Sequence, residues 1–444
     1  VLPMNRPPPN LLIVSYFAPP DAVGVRRLAS WLRWLPRRGW RPIVLACGPS
    51  RPSGFDPSPM EAPVVAATPV RRTGSWDPYY RLQRGRPTAA NDDSPAAPSA
   101  RSRALMQALR RHVLVPDDRC GWIPFAVQGG LDLCRQHPIR AILSTSYPNS
   151  AHAAARRIAA KTGLPWIADF RDGWTQNPAF FDPGNPLARW LIERGERLCA
   201  REATRLITVS PPITEHLNGL RPPGRSPAET IYNGFEPELL APEGAPSEPL
   251  EPGRFTLLYT GTFFGRRTPE PFFRALAQVL EQQPAWRGRV RVRLRCELAS
   301  EHREALAALE LGEVVQVLPM LPFAQVVEEQ RRADGCLLVL EHGPGAEIMV
   351  SQKVFEYLAA RRPILALVPD GAAREVLARS GGAMVCTSPD EAGIRPMLEG
   401  FLRRGLDGEL QGARAADLAA FNRRDQAWRL AELLDEAAAT SGAK

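Results

Sequence analysis

The run Ser351-Gln352-Lys353-Val354-Phe355-Glu356 places one cation and one carboxylate three positions apart, where a helix would begin after the Gly343-Pro344-Gly345 loop. Such a start aims backbone N–H groups and the positive end of the helix dipole at an anion. Lys353 adds a full charge, and Glu356, one turn deeper, could accept two hydrogen bonds from a vicinal diol such as a ribose. Phosphate above and ribose below describe a nucleotide site. The same residues also allow a Ser351-capped helix with a Lys353–Glu356 pair on its surface. The chain has no Asp-x-Asp, no His-Glu-x-x-His and no Cys/His ligand spacing, so no metal site is expected.

These residues need a scaffold, and the apolar pattern supplies one. Short apolar runs at Leu11–Tyr16, Ile43–Cys47, Ala141–Thr145, Trp166–Phe170 and Arg205–Ser210 read as strands separated by helical stretches. The pattern restarts at Thr256–Thr260 and continues through runs near Val290, Val314, Gly335, Ile364 and Ala383. Alternation of this kind predicts α/β architecture: two Rossmann-like, doubly wound domains facing a cleft, with ligand where loops leave the carboxyl ends of the strands. Residues 1–225 form the expected N-terminal domain, 226–253 a linker, 254–404 the C-terminal domain, and 405–444 helices packing back toward the N-terminal domain. Ten prolines over residues 49–98 mark a loop-like insertion, extended to about 49–118. Within it Ser102–Leu114 reads as a basic amphipathic helix, with Leu105, Met106, Leu109 and Val113 on one face.

The 444 residues are sufficient for two or three domains, and 44% hydrophobic with 23% charged residues excludes a disordered or fibrous chain. Charge is uneven. Residues 1–120 hold 18 Arg against 8 acidic residues, a net of +10, and the remainder of the chain carries −1. A basic face of this kind would attract an anionic membrane, a polyanion or an anionic substrate. Seven cysteines without Cys-x-x-Cys spacing point to a reducing compartment. No uncharged apolar run reaches ~18 residues, so a cytoplasmic protein is expected, held at most peripherally at the inner face of a membrane.

The run Ser351-x-Lys353-x-Phe355-Glu356-Tyr357-Leu358-Ala359-Ala360-x-x-Pro363-Ile364-Leu365 resembles the donor-nucleotide helix of bacterial GT-B glycosyltransferases of the retaining family 4. Further segments are similar to the same proteins, in the same order: Val14–Pro20 with Gly24 and Arg26-Arg27-Leu28, Ser144–His152 followed by Ala168–Trp174, Ile231–Phe235, and Tyr259–Phe272. The resemblance implies transfer of a sugar from a nucleoside-diphosphate sugar, uridine-type favoured, to an acceptor hydroxyl, without a cofactor. It implies that Glu356 holds the ribose, that Lys353 and the amides at Ser351 and Gln352 hold the diphosphate, and that Arg266 or Arg267 neutralises the leaving group. Gly261 and Thr262 belong to the turn after the first strand of the C-terminal domain, Glu347, adjacent to the family's first Glu position, counts among the donor-binding residues and is an acid to check, and Gly24 permits close backbone approach to the sugar-phosphate. His152 is expected at the mouth of the cleft. Asp169 is the acid to test with it as catalytic, and Arg171 and Asp172 shape the acceptor side. Two departures stand out: Ile348 occupies the position of the family's first Glu in Glu-x7-Glu, and Gly261-Thr262 followed by Arg266-Arg267 replaces a Gly-Arg…Lys pattern.

The acceptor is expected to be a saccharide, a lipid-linked saccharide or a small molecule, in polysaccharide, glycoconjugate or secondary-metabolite synthesis, with no nucleic acid involved. A nucleotide-sugar 2-epimerase of the same fold and a basic membrane- or polyanion-binding non-enzyme are the competing readings. A nicotinamide-dependent dehydrogenase is excluded, because Phe17-Ala18-Pro19-Pro20-Asp21 replaces the required G-x-G-x-x-G turn.

Overall fold

Two parallel sheets organise the chain, and each has its own core. The computed structural model describes residues 8–19, 25–48, 63–77, 100–178, 181–242, 248–263 and 265–441. One compact unit comprises Val1–Ile231 with Gln426–Lys444, the other Tyr232–Asp425. Of the 405–444 segment, only the part from Gln426 onward joins the first unit, and that unit runs to Ile231 rather than 225.

The first sheet contains β1 (Asn10–Val14), β2 (Arg41–Cys47), β3 (Val70–Thr73), β4 (Ile139–Thr145), β5 (Trp166–Phe170), β6 (Arg205–Thr208) and β7 (Glu229–Thr230). Their order is β3-β2-β1-β4-β5-β6-β7, all parallel, with Leu12 opposite Ile43 on one side and Ile142 on the other. The central strands are buried on both faces, which is why they read as unbroken apolar runs. The edges do not. β3 is Val-Arg-Arg-Thr, half exposed, and β7 is two residues long. The insertion expected over 49–118 therefore supplies an edge strand of the sheet, and the expected linker supplies another.

The helix Ala100–His112 forms where an amphipathic helix is expected, and Val113, just beyond its end, is 63% exposed. The side chains of Leu105 and Met106 lie outside the described residues, as does Gly24.

The second sheet contains β8 (Phe255–Thr260), β9 (Val290–Arg295), β10 (Val315–Leu318), β11 (Gly335–Val339), β12 (Ile364–Leu367) and β13 (Ala383–Cys386), in the order β10-β9-β8-β11-β12-β13. In both sheets the strand order reverses beside the first strand, at β1/β4 and at β8/β11. A crevice opens at such a point beyond the carboxyl ends of the strands.

Candidate functional site

In the second unit, the loop after β8 and the helix Gln352–Ala360 meet at this switch point. Gly261 follows β8 at φ 124°, a conformation that disfavours any side chain, and a Cβ there would lie 2.1 Å from Lys353 Nζ. The bare glycine is what lets the Lys353 ammonium reach the strand end. That ammonium donates to the Tyr259 hydroxyl at 3.2 Å and lies 4.8 Å from the ring centroid. The Tyr259 hydroxyl in turn donates to the Thr262 carbonyl, and its ring stacks on Phe263 at 4.3 Å. Thr262 itself is exposed.

Among the described residues Lys353 forms no ion pair, so Lys353 and Glu356 are not the surface pair the sequence allowed. Ser351 stands at the N-cap position but its side chain makes no capping bond. Both halves of the plain structural reading therefore fail. Burial, and then the neighbouring Arg267 guanidinium, lower the Lys353 pKa to about 8, with Glu356 acting in the opposite direction. A buried lysine beside a second cation at a helix start is relieved by an anion.

The other expected donor residues divide. Arg266 is exposed and donates to the Pro344 carbonyl at 3.1 Å, which ties the β8 loop to the loop after β11. Gly343, at φ 119°, leaves room for that guanidinium. Glu347 points its side chain to solvent while its carbonyl accepts from Ala372 N at 2.8 Å. The Gln352 side chain is fully engaged: it donates to the Gly234 carbonyl at 2.9 Å and accepts from Arg423 at 3.1 Å. It is a brace, which leaves only its backbone for an anion. Glu356 is half buried on the same helix.

In the first unit two expectations are corrected. His152, expected at a cleft mouth, is completely buried, stacked on Phe170 at 4.4 Å with Trp166 and Trp174 nearby. Its Nδ1 lies 2.8 Å from Ser144 Oγ, which also accepts from Trp166 Nε1 at 2.7 Å. Its Nε2 has no hydrogen-bond partner among the described residues, and burial lowers its pKa to about 3. A neutral ring closed into an aromatic core does not shuttle protons to solvent.

Asp169, the other candidate acid, is also fully buried. Arg27 holds both its oxygens, at 3.1 and 3.0 Å, and Thr145 donates to it at 2.9 Å. Arg27 also donates to the Ile231 carbonyl at 2.9 Å, so the carboxylate anchors the end of the unit rather than facing a substrate. Arg171 and Asp172 follow directly, partly exposed; Arg171 donates to the Ser146 carbonyl. Burial works against the charge of both, lowering one pKa and raising the other, and each partly offsets this for its neighbour.

Sequence reasoning missed Tyr259, Arg27 and a polar cluster at the carboxyl ends of β1 and β2. There the Tyr16 hydroxyl donates to Asp77 at 2.9 Å, with Arg119 3.9 Å from Asp77 and 5.5 Å from the Tyr16 ring. Asp77 and Arg119 fall within or beside the proline-rich segment, where no periodicity marks them. Among the described residues no group of three or more His, Cys, Asp or Glu could hold a metal, and no helix is long and apolar enough to cross a membrane.

Residues 22–234 match the glycosyl transferase 4-like domain. Comparison with curated proteins by sequence gives no match. Among solved structures, the chain is similar to sucrose-phosphate synthase from Thermosynechococcus elongatus, at 15% identity and TM-score 0.64, with 97% of this chain and 99% of that one covered. It is similar to Anabaena HepE in complex with UDP, at 12% identity and TM-score 0.62, covering 96% and 100%. A UDP-N-acetylglucosamine 2-epimerase described as putative, from Listeria monocytogenes, matches at 12% identity and TM-score 0.52, covering 95% and 94%. The chain thus carries a glycosyltransferase family 4-like domain and has the GT-B fold of two Rossmann-like domains, as the motifs led us to expect.

Proposed function

We propose that the protein transfers a hexosyl group from a nucleoside-diphosphate sugar to an acceptor hydroxyl, with retention of configuration. The observation that carries this reading is Lys353: half buried beside Arg267 and Tyr259, without an ion pair among the described residues, at an uncapped helix start on the switch point of the second sheet. The diphosphate lies against Lys353 and the Ser351–Gln352 backbone, Glu356 takes the ribose hydroxyls, and Arg266 and Arg267 meet the charge that develops on departure. In the transfer, the acceptor oxygen bonds to the sugar's anomeric carbon as the bond from that carbon to the β-phosphate oxygen breaks. The bonding pair leaves with the nucleoside diphosphate, and the acceptor proton passes to the leaving oxygen on the same face. This route needs no protein nucleophile, which suits an Asp169 already committed to Arg27. Fixed cations take the leaving-group charge, so no metal ligands are required. HepE, whose structure holds UDP, supports a uridine-type donor. The basic N-terminal quarter suits a cytoplasmic enzyme working at an anionic membrane on polysaccharide, glycoconjugate or secondary-metabolite acceptors.

Calorimetry with uridine, guanosine, adenosine and thymidine diphosphates tests the reading, followed by a hydrolysis screen of nucleotide sugars. One diphosphate should bind, and Lys353→Met should weaken it by ~10-fold or more, about 1.4 kcal/mol. Binding of none overturns the proposal. Release of an epimerised free nucleotide sugar in the absence of acceptor selects the 2-epimerase instead.

A further inference from the structure

In the first unit a cavity of about 210 Å³ lies beside the carboxyl ends of β4 and β5. The helix Ala100–His112, the loop that follows it, and Tyr147, Asn149 and Asp182 contribute to its lining. The lining is polar in both senses: Asp117, Asp118 and Asp182 stand beside Arg110, Arg111 and Asn149, with Asp118 paired to Arg110 at 3.4 Å and accepting from Tyr147, and Asp182 paired to Arg111 at 3.1 Å. Asn149, in the lining, is only 4% exposed, and its side-chain amide makes no hydrogen bond among the described residues. Such an amide costs stability unless a ligand or water satisfies it. Mixed donors and acceptors without a dominant charge suit sugar hydroxyls.

A second, independent observation adjoins the cavity. Ile192, in its wall, belongs to the helix Pro186–Glu202, whose outer face exposes Leu187 (65%), Trp190 (50%) and Leu191 (37%). Asn185, which caps this helix, also donates to the His112 carbonyl at 3.2 Å, so Val113 follows at the same junction. The cations around this strip are arginines: Arg194 stacks on Trp190 at 5.3 Å, and Arg189 and Arg197 are exposed on the same helix. Glu193 pairs with Arg189 at 3.8 Å. An exposed tryptophan among leucines with an arginine rim is complementary to an anionic bilayer surface, where the indole sits at headgroup depth.

We propose that the acceptor is a saccharide carried on a lipid, its sugar in the Asn149 cavity and its lipid in an anionic bilayer against the Leu187–Trp190–Leu191 strip. This rests on the transferase reading and names its acceptor class. Three measurements on the full chain test it. Wild type should co-sediment with phosphatidylcholine vesicles containing phosphatidylglycerol, and Leu187→Glu/Trp190→Glu should lose most of that binding. With the donor chosen by the hydrolysis screen and a total lipid extract as acceptor, labelled sugar should enter organic-extractable product, and the strip variant should slow this at least fivefold. Asn149→Ala should raise KM for the lipid acceptor while leaving nucleoside-diphosphate affinity unchanged. Circular dichroism checks folding, and Arg194→Gln, a milder change, should weaken vesicle binding in the same direction. Absence of vesicle binding, or label confined to water-soluble products, overturns the inference while intact diphosphate binding preserves the transferase reading. Loss of diphosphate binding in the wild type removes both.

Discussion

Arg27 with Asp169 in the first unit, and Lys353 with Glu356 in the second, are both cation–carboxylate sets near the carboxyl ends of parallel strands. In the first set the two side chains are buried and held by two hydrogen bonds, so each charge is satisfied within the protein. In the second, cation and carboxylate share a helix yet Lys353 forms no ion pair among the described residues, and burial with the neighbouring Arg267 outweighs the influence of Glu356 on it. The first arrangement makes a fold rigid. The second keeps a positive charge at its own expense, which is useful only when something negative arrives.

Four experiments press on this contrast. The largest effect belongs to Arg27→Ala, which leaves the Asp169 charge buried without its ion-pair partner and with the Thr145 hydroxyl still donating to it: urea denaturation should show a loss of about 3–5 kcal/mol. If the change costs almost nothing, the pair is not the anchor described. Gly261→Ala comes next. It forces a side chain into a φ of 124° and into the path of Lys353, so calorimetry should show nucleoside-diphosphate affinity falling by about 10- to 100-fold, some 1.4–2.8 kcal/mol. Unchanged affinity would detach Lys353 from the anion.

The third is a pH dependence. In the free protein Lys353 loses its proton near pH 8, below the ordinary 10.5, and a bound diphosphate favours the ammonium and raises that value. Affinity should hold below about pH 8 and decline above it by up to about tenfold per unit, with proton uptake on binding seen as buffer-dependent heat. Lys353→Met should flatten the slope. The smallest effect is expected from His152→Phe, which replaces a neutral, enclosed ring by an apolar one. Turnover should stay within about threefold and melting should shift by only a few degrees; a large fall in kcat at unchanged stability would return His152 to the chemistry.

The strands that run through the middle of each sheet were legible because both their faces are buried, so leucine, isoleucine and valine follow one another without interruption. β3 and β7 were not, since an edge strand of four or two half-exposed residues has no apolar run to show. The helix Gln352–Ala360 could be read as a candidate nucleotide site because the residues concerned are local: Ser351, Lys353 and Glu356 lie within two turns. The burial of Asp169 and His152 was not legible for the opposite reason. What decides their roles is Arg27, 142 positions from Asp169, and a cage built from Phe170, Trp166 and Trp174. Residue type announces what a side chain can do, and its distant neighbours determine whether it is at liberty to do it.

The core of the first unit holds Ala427, Leu430, Ala431, Leu433 and Leu434 in one cluster with Leu11, Trp31, Trp40 and Ile207, and Asp435 accepts from the Trp40 indole at 3.0 Å. Those residues leave the ribosome after the whole of Tyr232–Asp425. The half of the protein that is translated first therefore completes its folding last, after Tyr232–Asp425 has already emerged and can close on its own. A nascent chain stalled before Ala427 would present a finished second domain and an unfinished first one, open where its final helix belongs.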